Sequence, residues 1–137
     1  MSHLYTTRPQ RIRYAETDQM GFSHHSNYLK YFELARLEWL LELGVSYKEL
    51  EQKGYLLAVV QAEVNFVSPA FFEDEFTVTV QLKSPPTASM LFSYEMHNQH
   101  GKLNAKGTTK LAFLDAQSKR PVRCPEELSS MLASLFE

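Results

Sequence analysis

Residues 27–43 constrain this chain more than any other stretch. Tyr28, Leu29, Tyr31, Phe32, Leu34, Ala35, Leu37, Trp39, Leu40, Leu41 and Leu43 leave only Lys30, Glu33, Arg36, Glu38 and Glu42 as charged positions. With Ser26 or Asn27 as N-cap and Gly44 as a natural stop, the segment reads as one long helix. A helix apolar around most of its circumference belongs inside a structure. Residues 46–53 read as a short helix opened by a Ser46/Glu49 capping box and ended by Gly54. Four strands are then predicted. Residues 55–67 are Val-rich and end at Ser68-Pro69, and residues 75–83 alternate Phe76, Val78, Val80 and Leu82 with Thr77, Thr79, Gln81 and Lys83. Residues 89–98 and 102–115 form a hairpin across Gln99-His100-Gly101. A first strand is expected over residues 5–14 and a short C-terminal helix from Pro125. Such a sheet must bury one face, and the long helix is the only large element available to cover it. The expectation is an α+β fold in one domain, residues 1–137: a curved antiparallel sheet of about five strands around one central helix.

A chain of 137 residues can bury a real core, since a domain near 150 residues hides about 68–70% of its unfolded surface. A net charge of −2 without long runs of like charge argues against nucleic acid or an anionic membrane as partner. Residues 1–9 contain no apolar run suited to a leader. No stretch approaches the roughly 20 apolar residues that span a bilayer. The single cysteine, Cys124, excludes an intramolecular disulfide framework and fits a reducing, cytoplasmic setting. Adjacent His24 and His25, with His97 and His100 far along the chain, lack any metal-ligand spacing, so no metal is expected. No GxSxG elbow, Gly-rich phosphate loop or dinucleotide fingerprint is present, and no cofactor is expected.

Chemistry concentrates in residues 11–36, RIRYAETDQMGFSHHSNYLKYFELAR. Ile12 and Tyr14 alternate with Arg11 and Arg13, and Thr17–Gly21 then breaks the period with turn-forming residues. Asp18 thus stands just ahead of a helix N-terminus, where unpaired backbone N–H groups point outward. A carbonyl held between them meets a nucleophile or base on one side and hydrogen-bond donors on the other, which suits acyl transfer. Asp18 could attack a thioester or take a proton from water. It could equally do no more than close an Asx-turn. Glu16 and Glu63 are the competing acids; Glu63 sits in an apolar strand and needs a partner or a pocket. Glu33 and Arg36, three residues apart, read as an intrahelical pair that tolerates burial.

Asp18, Gly21, His25, Asn27-Tyr28 and Phe32-Glu33-x-x-Arg36 resemble the signature of hotdog-fold acyl-CoA thioesterases, in the 4-hydroxybenzoyl-CoA thioesterase group that includes the YbgC-type enzymes. The resemblance is dense over residues 11–43 and colinear to about residue 125. It implies a hotdog fold, homodimers or homotetramers with sites between subunits, an acyl-CoA substrate and no cofactor. It also implies that Asp18 is catalytic and that the His25 backbone N–H receives the thioester carbonyl. Gly21, Ser23, His24 and Asn27 would border the substrate, and Val59 with its neighbours would line an acyl pocket. Ser89 would border the coenzyme A channel. Independently of the resemblance, Lys83, Lys106 and Lys110 could meet the coenzyme A phosphates, and a solvated sheet edge explains each equally well. Ser23-His24 departs from the apolar or aromatic pair common in such sequences, which predicts a more polar pocket beside Asp18. The competing functions are a non-catalytic acyl-thioester-binding protein, a thioesterase acting on acyl carrier protein, and a hydratase or isomerase.

Overall fold

The computed structural model describes residues 4–137; residues 1–3, part of the stretch in which no leader is expected, lie outside the described residues. The chain forms strands β1 (Leu4–Thr6) and β2 (Gln10–Arg11), then helices α1 (Tyr28–Glu42) and α2 (Tyr47–Gln52). Strands β3 (Tyr55–Phe66), β4 (Glu75–Leu82), β5 (Ser89–Asn98) and β6 (Leu103–Asp115) follow, and helix α3 (Glu126–Ala133) closes the order. One antiparallel sheet runs β1-β4-β5-β6-β3, with β2 also pairing β4.

The strand expected over residues 5–14 is broken in two. Pro9 offers no N–H to a ladder. Thr7 bridges the break, donating its amide to Val78 O and accepting the Val78 amide at its hydroxyl, both at 3.0 Å. The chain then turns into a 3-10 segment at Tyr14–Glu16. The remaining elements form within a residue or two of where the periodicity places them.

Helix α1 lies across the sheet because β4 and β5 send Phe76, Val78, Val80, Leu82, Met90, Phe92, Tyr94 and Met96 to one face. The Phe32 ring stacks on Tyr94 with centroids 4.5 Å apart and planes 3° from parallel. Trp39 meets Phe92 edge-on, and Tyr31 packs on Phe76. A Cβ at Gly107 would run into the Glu63 carbonyl oxygen and stand 2.9 Å from the Phe32 ring, so only glycine lets helix and sheet close this far. Arg36 is buried within this packing; it donates to Tyr94 Oη at 3.4 Å and lies 3.6 Å from the exposed Glu33 carboxylate.

The all-round apolar character of α1 predicts a helix enclosed on every side. In one chain the sheet covers one side of it, and Leu29, Leu34 and Leu41 stay exposed. The flank toward β1 is closed, with Tyr5 Oη donating to Glu38 at 2.9 Å. The flank toward β3 is open, and there Val59, Val60 and Phe66 are 49%, 58% and 55% exposed.

Candidate active site

The segment before α1 folds into a miniature hairpin. Thr17 bridges Ser23, the Asp18 amide donates to Phe22 O at 3.1 Å, and the Gly21 amide donates to Asp18 O at 3.0 Å. Gly21 sits at φ 88°, a left-handed conformation that glycine adopts without steric cost. Met20 N–H donates to Asp18 Oδ1 at 2.9 Å, so Asp18 does close an Asx-turn. That bond engages only one carboxylate oxygen.

A 3-10 turn at His25–Asn27 runs directly into α1. His24 caps it, its Nδ1 accepting the Ser26 amide at 3.1 Å. The His25 N–H is first in this turn and therefore precedes any intrahelical acceptor. The hairpin is fastened to the connection between β3 and β4 by the Phe22–Phe71 bridge and by Ser23 N–H donating to Ala70 O at 2.7 Å.

These contacts frame a cavity of about 270 Å³ lined by Asp18, Met20, Phe22, Ser23, His25, Tyr28, Phe66, Val67, Ser68 and Pro69. Asp18 and His25 thus share one mostly apolar hollow. Burial pushes the Tyr28 hydroxyl pKa up; a backbone hydrogen bond from Ala70 opposes this and the Asp18 carboxylate reinforces it. The phenol stays neutral beside the carboxylate.

The structure separates the other residues singled out in the sequence. Ser23 borders the cavity, but its hydroxyl turns into the fold and meets Tyr31 Oη at 2.8 Å. The His24 ring serves the cap, and Asn27 is buried, donating to Glu16 O at 2.9 Å. The Ser23-His24 pair therefore spends its polarity on structure. Val59 lies on the exposed stretch of β3, outside the cavity lining. Ser89 and Lys110 share a hollow with Gln61, Ser84, Leu91 and Thr108, while Lys83 and Lys106 share another with Glu63 and Glu95. Glu63 stands opposite Thr108 with its side chain exposed, so it needs no buried partner. The Glu16 carboxylate accepts the Arg13 amide at 2.8 Å in a capping box. Among the described residues no group of three or more His, Cys, Asp or Glu side chains could hold a metal ion.

Sequence reasoning missed Met20, Phe22, Phe66, Val67, Ser68 and Pro69 as cavity walls. Ser68-Pro69 was legible as the end of a strand, but nothing local announces that this end returns to residues 18–23. That approach depends on the Phe22–Phe71 bridge, a long-range pairing.

A profile of the thioesterase-like superfamily matches residues 12–132. YneP of Bacillus subtilis is 31% identical over 112 residues, covering 82% of this chain and 81% of that protein. The acyl-CoA thioesterase YbgC of Haemophilus influenzae is 29% identical over 123 residues, covering 89% of this chain and 90% of that one. The solved structure of a DHNA-CoA thioesterase from Staphylococcus aureus superposes with a TM-score of 0.93 at 28% identity, over 97% of this chain and 91% of that one. These relatives share its sequence over most of its length and its antiparallel sheet wrapped on one long helix: the chain belongs to the thioesterase-like superfamily and is a hotdog-fold thioester hydrolase.

Proposed function

We propose that residues 1–137 act as one domain that hydrolyses acyl-CoA to a free carboxylic acid and coenzyme A, with Asp18 as nucleophile or general base. The observation that carries this reading is the shared cavity of Asp18 and the His25 turn. A thioester carbonyl seated there points its oxygen at the His25 N–H, which also lies at the positive end of the α1 dipole. Along one route the free Asp18 oxygen attacks the carbonyl carbon, the C–S bond breaks and coenzyme A leaves as thiolate. Water then hydrolyses the mixed anhydride and restores the carboxylate. Along the other, Asp18 takes a proton from water as the water attacks, and the proton passes to the departing thiolate.

The open β3 flank supports a homodimer, stacked further into a homotetramer. A 12-residue edge strand with exposed Val59, Val60 and Phe66 offers a template for pairing. Gly21, Ser23, His24 and Asn27 would support the substrate through the loop they build, and Val59 would contribute to an acyl pocket where two subunits meet. Ser89 and Lys110 would then border the coenzyme A arm. A lone cysteine, Cys124, buried near the C-terminus, is compatible with a cytoplasmic enzyme.

Thiol release from short-chain, long-chain and aromatic acyl-CoA esters, with wild type and Asp18→Asn side by side, tests the reading. Hydrolysis that collapses in the variant is expected. Undiminished hydrolysis would move the chemistry away from Asp18. Cleavage of acyl carrier protein thioesters in place of acyl-CoA would change the carrier and keep the site.

A further inference from the structure

Beneath the Asp18 hairpin lies a second polar group with no direct part in the chemistry. Ser23 and Tyr31 are 3% and 5% exposed, and their hydroxyl oxygens are 2.8 Å apart. Asn27, 8% exposed, donates to Glu16 O at 2.9 Å and reaches Ser23 Oγ at 3.4 Å. The His24 amide donates to the same Glu16 carbonyl at 2.8 Å. Burial, with the Glu16 carboxylate acting in the same direction, pushes the Tyr31 pKa up and keeps its hydroxyl protonated.

Burying two hydroxyls is costly unless they satisfy one another, and an apolar pair of similar shape would fill the space without that cost. What the polar pair adds is direction. Ser23 closes the hairpin that presents Asp18, opposite Thr17 in the bridge, and Tyr31 belongs to α1, whose first turn presents the His25 N–H. The Ser23–Tyr31 bond therefore ties the element that holds the carboxylate to the element that holds the N–H donors. Asn27 repeats the tie one turn earlier through Glu16.

We infer that Tyr31 and Ser23 are positioning residues: their buried hydrogen bond sets the separation of the Asp18 carboxylate from the α1 N-terminus, and so the rate of thioester cleavage. The inference rests on the catalytic role proposed for Asp18. Neither side chain touches the reacting atoms, so loss of the bond lowers kcat and leaves substrate affinity in place. A misplacement of an ångström or less costs on the order of ten- to a hundredfold in rate.

The test uses Tyr31→Phe, Ser23→Ala and the double variant on the acyl-CoA ester that wild type cleaves fastest, well below the melting temperature, with Asp18→Asn measured in parallel. Expected is a kcat loss of about tenfold or more in each single variant with KM nearly unchanged. The double variant should be no slower than the worse single, because both remove one shared bond. Wild-type kcat in both singles with only a lower melting temperature would reduce the pair to a structural contact and overturn the inference. A rise in KM at constant kcat would overturn it as well, by moving the role to binding. If Asp18→Asn is inactive while the pair variants are fully active, the positioning inference alone fails; if Asp18→Asn stays active, the catalytic reading fails and takes this one with it.

Discussion

The hairpin at residues 17–23 and the crossing of α1 over β5 and β6 are held by opposite means. The crossing is a stack of rings and aliphatic chains, Phe32 on Tyr94 and over Gly107, whose stability comes from removing apolar surface from water and filling space. The hairpin is an array of short hydrogen bonds near the surface, from the Asx-turn of Asp18 to the Ser23 tie on Ala70. One region makes the chain fold, and the other uses the fold to hold a carboxylate in a turn ahead of a helix. Substitutions should therefore divide cleanly between activity and stability, and a failure to divide would break the comparison.

The largest effect is expected at Asp18→Asn. Asparagine keeps an Oδ1 acceptor for the Met20 amide, so the turn survives while the charge is lost. Turnover should fall about 10²–10⁴-fold, about 2.7–5.5 kcal/mol of barrier, with the melting temperature nearly unchanged. Steady-state thiol release and a thermal melt on the same sample check both halves. A large drop in melting temperature would show that the hairpin also carries stability.

Phe32→Ala should do the reverse. Removing the ring from a fully buried site costs about 3–5 kcal/mol, read as a lower denaturant midpoint. Its kcat per folded molecule should stay near wild type. Gly107→Ala comes next: one added methyl meets the Glu63 carbonyl and the Phe32 ring, for about 1–3 kcal/mol. An unchanged midpoint in either variant would show that the crossing is looser than its geometry states.

The smallest effect is in alkali. Burial, with Glu126 adding to it, pushes the Cys124 thiol up to about 11. Because the folded value lies above the ordinary one, this contribution to stability is fully present below about pH 9 and is lost as pH rises through 11. Cys124→Ala should flatten the fall of melting temperature across that window and leave neutral-pH hydrolysis unchanged. Identical pH profiles for variant and wild type would remove Cys124 from the core account.

Much of the architecture was legible because local periodicity and burial agree in this chain. The alternation of residues 75–83 and the Gly101 hairpin appear where patterning places them, since each side chain's choice of face is settled by its immediate neighbours. The long helix was legible in extent but not in exposure. Composition makes α1 apolar all round, while a single sheet can cover only one side of it. The first strand was over-read, because Ile12 and Tyr14 alternate although Pro9 has already cut the ladder.

What the sequence determined by itself is the set of elements, their order, and a carboxylate in a turn ahead of a helix. Those features depend on contacts between residues close in the chain. Only the tertiary structure decided that the end of β3 returns to wall the Asp18 cavity, that Ser23 faces Tyr31 inward, and that Ser89 and Val59 lie elsewhere in a single chain. The cavity wall and the placement of Ser89 and Val59 follow from pairing between distant segments, whose register is set by the whole sheet; the Ser23–Tyr31 contact follows from the fold of the hairpin back onto α1.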